Sequence, residues 1–187
     1  MEDRQELEAR LQEYVGLEAE PPRVARYEVN APMIRNWVEA HDDHNPVYVD
    51  DEAARASGRD GVVAPPAMVS TWVMAGYRRW REVQRLRAEG ATEDFAYSRL
   101  LAELDAAGFT SVVATNVEQE YVRELRPGQH LTCHFTIESV SPFKRTGLGE
   151  GCFITLRKEY VDQHGQRVCD ERFRLLRFAP STQEASA

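Results

Sequence analysis

The sequence predicts an α+β protein in which helices occupy the first part of the chain and an antiparallel sheet the second. Up to Gly108 the apolar residues occur in helical segments, most densely around Trp72 and Val73. Beyond Gly108 the period changes to two, most cleanly from Leu131 to Ile137, where apolar and polar residues alternate. With 187 residues, the chain is long enough for one domain and too short for two comfortable ones.

The first elements are predicted from local composition. Residues 2–14 are acidic and helix-prone, and Pro21-Pro22 is expected to break that helix. A short strand is expected over residues 23–29. We therefore predict an N-terminal helical extension over residues 1–20 that precedes the main domain.

Two capping residues predict the next helices. Asn30 precedes Ala31-Pro32 and is expected to cap a helix that leads into the segment 41–48. Asp50 or Asp51 is expected to cap a short helix that ends at Gly58.

A strongly apolar stretch predicts one buried helix, from Pro66 through Tyr77, whose arginine-rich second half emerges into solvent. Residues 88–108 add a further helix, which we expect to be capped by Thr92 and closed by Gly108. We interpret residues 88–108 as an insertion.

The end of the chain is predicted to be a strand meander. The turns at 126–128 and 163–165 separate long strands, which are expected at 111–125, 129–140, 149–161 and 167–178. This order of elements is that of a hot-dog fold, a curved antiparallel sheet wrapped around a central buried helix. We place this domain at residues 21–180, and residues 181–187 are expected to be a disordered tail or a truncated linker.

Composition narrows the class of function. The formal net charge of −8 disfavours nucleic-acid binding, which usually leaves a basic surface. No apolar run approaches the ~18 residues that span a bilayer, and the N-terminus lacks the order of a signal peptide, so neither a membrane partner nor export is expected. The widely spaced Cys133, Cys152 and Cys169 are expected to be buried free thiols. We therefore expect a cytoplasmic protein.

The segment from His41 to Tyr48 reads His-Asp-Asp-His-Asn-Pro-Val-Tyr. It resembles the Gly-Asp-x-Asn-Pro-x-His loop of the MaoC-like (R)-specific enoyl-CoA hydratases, of the type with a FAS1-like dehydratase N-terminal domain. Asp43 matches the aspartate of that loop, and Asn45 and Pro46 match its Asn-Pro pair. Tyr48 stands where the family has histidine, so the catalytic pair is incomplete.

The resemblance implies a reaction in which an aspartate and a histidine hold one water and add it across the double bond of an enoyl thioester. Tyrosine has an ordinary pKa near ~10 and is a poor base at neutral pH. Asp43 is therefore the remaining catalytic candidate, with His44 as a weaker substitute. Asn45 and Pro46 are expected to be loop scaffold.

A second segment, Gly61 to Met68, resembles the start of the family's buried helix, where active members read Ala-His-Gly-Met. The family's glycine donates its N–H to the thioester oxygen, whereas Pro66 has no N–H to give. This degenerate site is expected to bind the substrate, a coenzyme A thioester, through Tyr48, Val63, Ala64, Pro65, Pro66, Met68 and Trp72. Lys144 and Arg145 are candidates for the phosphates of coenzyme A, and no further cofactor is expected.

Two structural alternatives apply to the same loop. His41 and His44 flank two aspartates, but Asn45-Pro46 ends the helix there and no third ligand is evident nearby, so a metal is not expected. Asp43 is equally compatible with fastening the turn before Asn45-Pro46, and we favour this role.

The segments 32–37, 63–68 and 107–116 are similar to one noncatalytic subunit type of the steroid side-chain enoyl-CoA hydratases of sterol-degrading bacteria. The resemblance implies a substrate-binding subunit that pairs with a catalytic hot-dog subunit and acts on a bulky enoyl-CoA. Such subunits often carry an OB and zinc-ribbon domain that recruits an aldolase. None follows Pro180, so that function is expected on a separate chain or lost by truncation.

Two other functions stay open. The chain is also compatible with a self-sufficient homodimeric hydratase or 3-hydroxyacyl-CoA dehydratase, in which Asp43 works with a nonstandard partner. It is likewise compatible with a module that binds acyl-CoA without chemistry. Activity of the isolated chain separates the first of these from the others.

Overall fold

The computed structural model describes residues 4–91 and 93–180, with the backbone alone at residue 87. These residues form six α-helices, six strands and two short 3-10 turns, Pro46–Tyr48 and Pro66–Met68. The helices are α1 (Arg4–Gln12), α2 (Ala31–Ala40), α3 (Asp51–Ala56), α4 (Val69–Trp72), α5 (Gly76–Ala88) and α6 (Ala96–Ala106). The strands are β1 (Glu18–Val24), β2 (Ser111–Tyr121), β3 (Thr132–Val140), β4 (Lys144–Thr146), β5 (Gly149–Val161) and β6 (Arg167–Pro180).

The strands form one open antiparallel sheet in the order β1-β3-β5-β6-β2, with β4 paired to the start of β5. The long β5–β6 hairpin is closed at residues 162–166, where the Asp162 carboxylate accepts hydrogen bonds from the backbone N–H groups of His164 and Gln166, both at 2.9 Å. The hot-dog arrangement that the sequence predicts is confirmed, and the four long strands lie within three residues of the predicted starts.

The two faces of the sheet differ in chemistry. One face, here called the inner face, carries Cys133, Ile137, Ile154 and Cys169, each 0% exposed, and packs in the core with residues from the helices. The opposite face, here called the outer face, carries ion pairs such as Arg157–Asp170 and Arg172–Glu138. This division follows from the period of two, because successive side chains of a strand point to opposite faces.

The capping predictions for the two early helices are confirmed. The Asn30 side chain accepts a hydrogen bond from the Met33 N–H at 3.0 Å at the start of α2. Asp50 accepts from the N–H groups of Glu52 and Ala53 at the start of α3. These caps satisfy backbone donors that a helix start otherwise leaves unpaired.

The prediction of a first strand at 23–29 is wrong. β1 spans Glu18–Val24 and includes both Pro21 and Pro22. Proline is tolerated there because β1 is an edge strand, and its pairing with β3 is interrupted by register shifts around these residues. α1 instead ends at Gln12, before a turn in which Gly16 has a φ of 87°.

The prediction of one long buried helix through Tyr77 is also wrong. The central helical segment extends from Pro66 to Trp72, and α5 begins only at Gly76, whose φ of 73° is incompatible with a continuous right-handed helix. Met68 and Trp72 are buried, whereas Met74 and Tyr77 are 65% and 69% exposed. The apolar stretch therefore folds as a short central helix followed by a separate, exposed one.

Residues 96–106 contribute to the core. Leu100 and Leu104 of α6 are 0% exposed, and the guanidinium of Arg177 joins the end of this segment to β6 by donating to the Phe109 carbonyl at 3.1 Å and to Asp105. Thr92, the predicted cap, lies outside the described residues, as do residues 181–187.

The three cysteines are free and buried, as the sequence predicts. Burial raises the pKa of the Cys133 and Cys169 thiols to about 12 and that of Cys152 to about 11. They are therefore protonated and unreactive in the folded protein. Within the described ranges, every helix is too short or too polar to cross a membrane.

We predict that Asp170→Asn lowers the free energy of unfolding at pH 7 by about 1–3 kcal/mol, because it weakens a buried charge-assisted hydrogen bond. Arg157 donates to both Asp170 carboxylate oxygens, and this hydrogen bonding holds the pKa of Asp170 below its usual range. The stabilisation is therefore full above the unfolded-state pKa of about 4 and is lost as the pH falls through the lower folded-state pKa. Urea unfolding of the native chain and of the variant, repeated from pH 7 to acid pH, measures this difference in the free energy of unfolding.

The matched control is Asp60→Asn, since Asp60 pairs with Arg126 at the surface and its side chain is 85% exposed. This variant should change stability little. An Asp170→Asn variant with the same acid dependence as the native chain would contradict the assignment.

Candidate functional site

The loop that resembles the hydratase signature begins with a left-handed residue. Asp42 has a φ of 52° and is the one non-glycine residue with positive φ in the described part of the chain. The Asp43 N–H then returns to the Val38 carbonyl at 3.0 Å, which closes the end of α2. Asp42 stands where the resembled loop has glycine, the residue that adopts positive φ most readily.

Side chains fasten the rest of the loop. The Asp43 carboxylate accepts a hydrogen bond from the Asn45 N–H at 3.0 Å, and the Asn45 side chain accepts one from the Val47 N–H at 3.3 Å. Pro46 begins the 3-10 turn, in which its fixed φ is already suitable. One oxygen of Asp43 is therefore engaged in holding the loop.

The two histidines of the segment lie on its surface. The His41 ring stacks on Trp37 with 3.8 Å between centroids, and its Nδ1 lies 2.8 Å from the Trp37 carbonyl oxygen. His44 Nε2 is 3.1 Å from Asp42 Oδ1, and these two side chains are 86% and 90% exposed. Across residues 4–91 and 93–180, no three His, Cys, Asp or Glu side chains come close enough together to hold a metal ion.

The second predicted segment lies directly beside this loop. The Val63 N–H donates to the Val47 carbonyl at 3.3 Å, and the Ala64 N–H donates to the Leu125 carbonyl at 2.7 Å. Pro66 then begins the central helical segment at an exposed position, and the Met68 N–H is bonded to the Pro65 carbonyl at 3.0 Å. Tyr48 and the helix start are thus brought to one region, in which Pro66 offers no backbone donor.

The predicted substrate-binding residues divide into two groups. Five are buried: Val63, Ala64, Pro65, Met68 and Trp72. Tyr48 is half-buried against the core, and the indole N–H of Trp72 is buried without a hydrogen-bond partner among the described residues. Ala64 and Pro66 line a cavity of about 180 Å³ that also contacts Tyr121 and Val168.

Lys144 and Arg145, the candidates for the phosphates of coenzyme A, lie elsewhere. They are exposed on β4, where Lys144 pairs with Gly151 at the start of β5. The region of Ala64 and Pro66 contacts Val168, which lies at the other end of the β5–β6 hairpin. At about 3.3 Å per residue, this places the two sets about 30 Å apart, so they do not share one pocket in this chain.

A larger cavity that the sequence did not predict lies between β1, α5 and the segment before α6. We call this cavity of about 1020 Å³ the α5 groove. Its apolar walls are formed by Pro21, Pro22, Met74, Trp80, Val83 and Phe95. Arg79 borders it and is held by Glu82 at 3.0 Å and by Glu93.

The helix that forms one wall of this groove has no buried side chain among those described. Tyr77 stacks on Trp80 with 5.6 Å between centroids, yet Trp80 is 55% exposed. Because helices in proteins are stabilised mainly by burying an apolar face, α5 has apolar surface available for a ligand or a second chain.

A hydrogen-bonded network on the inner face of the sheet was also missed by sequence reasoning. Glu171 is 3% exposed and accepts from Lys158 Nζ at 2.6 Å, Gln119 Nε2 at 2.7 Å and the Tyr160 hydroxyl at 3.2 Å. The Tyr121 hydroxyl donates to the Gln119 side-chain oxygen. The sequence did indicate this network, because Lys158 and Glu171 are charged residues at positions where the alternation of the strands places apolar ones.

The last strand of the sheet exposes apolar side chains. Within the described residues β2 pairs with β6 alone, and Val112, Val117 and Tyr121 are 57%, 57% and 42% exposed. An unpaired edge of this kind is suited to contact with another chain.

These features define a member of the dehydratase class of hot-dog proteins. The model of the FAS1-like dehydratase domain region matches residues 14–171, and the chain belongs to this family. The family resemblance that the two sequence segments indicate is therefore confirmed.

Two relatives of the chain carry names that are more specific than that of the family. The chain is 49% identical over 180 residues to a protein of Thermomonospora curvata named probable enoyl-CoA hydratase alpha subunit, covering 96% of this chain and 54% of the relative. It is 43% identical over 166 residues to the 3-oxo-4,17-pregnadiene-20-carboxyl-CoA hydratase alpha subunit of Mycobacterium tuberculosis, covering 88% of this chain and 50% of the relative. The chain thus spans about half the length of these two relatives.

A solved structure shares the whole fold. The chain is similar to a chain in the crystal structure of the ChsH1-ChsH2 complex from Mycobacterium tuberculosis, with a TM-score of 0.78 and 38% identity. The match covers 97% of this chain and 94% of that one.

We predict that Asp43→Ala lowers the free energy of unfolding by about 1 kcal/mol, because the Asn45 N–H loses its acceptor. Asp43→Asn keeps a side-chain oxygen at the same place and should change stability by less than half as much. Urea unfolding of both variants measures this difference. An equal loss in the two variants would show that the hydrogen bond does not fasten the loop.

Proposed function

We propose that this chain is the noncatalytic, substrate-binding subunit of a heteromeric enoyl-CoA hydratase that acts on a bulky, steroid side-chain enoyl-CoA. One observation carries the proposal. Tyr48 and Pro66 stand in a loop and helix start that otherwise resemble the hydratase signature in sequence, and each removes one chemical function from it.

Hydration of an enoyl thioester needs a base for water, an acid for the developing carbanion and a donor for the thioester oxygen. Tyr48 replaces the titratable histidine, Pro66 replaces the donating N–H, and Asp43 is engaged with Asn45. A second hot-dog chain would have to supply these groups. The role of this chain is then to bind and orient the acyl part of the thioester.

The heteromeric assembly is supported by the relatives, both of which are named alpha subunits, and by the similarity to a chain in a two-component complex. The exposed apolar side chains of β2 offer a surface for such a partner. Attachment to an OB and zinc-ribbon domain, recruitment of an aldolase and a cytoplasmic location stay predictions.

A bulky substrate is supported by the α5 groove. Its volume of about 1020 Å³ is at the upper end of small-molecule sites, which commonly measure about 300–1,000 Å³. Its walls are mainly apolar, and the name of the relative from Mycobacterium tuberculosis specifies a pregnadiene-carboxyl thioester. We assign this groove to the acyl group.

We predict that the purified chain alone hydrates neither short-chain nor steroid enoyl-CoA thioesters at a measurable rate. Mixed with a catalytic hot-dog chain that carries the Asp/His pair, it should support hydration of the steroid thioester at least ~100-fold faster than either chain alone. Loss of absorbance of the conjugated thioester measures the rate. Turnover by this chain alone would contradict the proposal.

We also predict that Trp80→Ala weakens binding of a fused-ring enoyl-CoA by the assembled complex about tenfold, because it removes apolar contact from the groove wall. Binding of a four-carbon enoyl-CoA should change by less than about twofold. Isothermal titration measures both affinities. Tyr27→Ala is the matched control, since Tyr27 is 69% exposed and does not line the groove.

An equal effect of Trp80→Ala on both thioesters would argue against this position for the acyl group.

A further inference from the structure

A charged pair lies where the sheet is otherwise apolar. Lys158 on β5 faces Glu171 on β6 across the inner face, in register, with Phe135 of β3 on the other side of Lys158. The neighbouring inner-face positions, Leu156 and Tyr160, are buried. The Glu171 side chain is 4% exposed and that of Lys158 is 21% exposed.

Strand pairing does not require this pair. The same two strands are already joined on the outer face by Arg157 and Asp170, at the positions adjacent to Lys158 and Glu171. A buried ion pair stabilises a fold little, and often less than apolar residues of the same size, because both ions lose their hydration. The inner pair therefore indicates a role other than stability.

The groups around Glu171 keep unused donors. An ammonium has three N–H groups and a side-chain amide has two. Lys158 gives one to Glu171 and lies 4.7 Å from the centre of the Phe173 ring, and Gln119 gives one to the same carboxylate from the opposite side. Among the described residues, each therefore retains an N–H for another acceptor.

The charge of the pair limits which acceptor fits. Glu171 neutralises Lys158, and on β1, beyond β3, Glu20 neutralises Arg23, with 2.5 Å between Oε1 and Nη2. An anion would find no net positive charge here, whereas a neutral carbonyl or hydroxyl oxygen needs only a donor. The chemistry of this face is therefore that of a site for a neutral oxygen.

The network also reaches the region of the proposed acyl site from two directions. Tyr121, bonded to Gln119, lines the small cavity with Pro66. On the other side, Arg23 lies over the Phe135 ring at 4.8 Å and borders the α5 groove. The Lys158 side chain itself is 21% exposed, so its ammonium is accessible at the margin of this buried face.

We propose that Lys158 and Gln119, positioned by Glu171, donate hydrogen bonds to a neutral carbonyl or hydroxyl oxygen carried on the acyl group of the bulky thioester. This inference rests on the proposed function and adds to it a requirement for an oxygen substituent. Glu171 is a positioning residue, and Lys158 and Gln119 determine specificity.

The test uses the full chain together with its catalytic partner. Two fused-ring acyl-CoA thioesters that differ by one ring carbonyl are titrated by calorimetry into the native complex and into the double variant Lys158→Met/Glu171→Gln, which leaves no unpaired charge. The native complex should bind the carbonyl-bearing thioester about tenfold more tightly. The double variant should lose most of this preference, because it removes the Lys158 donors and the carboxylate that positions Gln119.

The matched control is Arg157→Met/Asp170→Asn, which removes the ion pair between the same strands on the outer face. This variant should be less stable and should keep the preference for the carbonyl. Equal binding of the two thioesters by the native complex, or an undiminished preference in Lys158→Met/Glu171→Gln, would overturn the subsite alone. Failure of the native complex to bind either thioester would overturn both the subsite and the proposed function.

Discussion

The break between Trp72 and Gly76 is the constraint on which the rest of the molecule depends. Gly76 adopts a left-handed φ of 73°, so the helix that begins at Pro66 cannot continue across the sheet. α5 is thereby directed away from the core with its apolar side chains unburied. The α5 groove lies directly beside this interruption, since Met74 and Gly76 line it.

The loop that resembles a catalytic signature keeps its conformation because its hydrogen bonds are local. Asp43 bonds to Asn45, and Asn45 bonds to Val47, all within five residues. None of these bonds depends on the residue at position 48 or on Pro66. The conformation of the loop is therefore independent of whether position 48 carries a histidine or a tyrosine.

The sequence alone predicted those helices and strands that are determined by neighbouring residues in the chain. Alternation located the long strands, and the caps Asn30 and Asp50 located two helices. The errors arose where tertiary context decides. Pro21 and Pro22 are accepted by β1 because it is an edge strand, and the apolar run to Tyr77 breaks at a glycine whose φ no periodicity reveals. The α5 groove was missed because it joins segments distant in sequence, whereas Lys158 and Glu171 were visible as charges at apolar positions.

The central claim is that this chain holds the acyl group while another chain performs the chemistry. Photocrosslinking tests this claim most directly. A fused-ring enoyl-CoA that carries a diazirine at the end distant from the thioester is bound to the assembled complex and photolysed. Peptide mass spectrometry then identifies the labelled residues. Labelled peptides are expected from this chain, at residues 20–23 and 74–84. Labelling confined to the catalytic chain would contradict it.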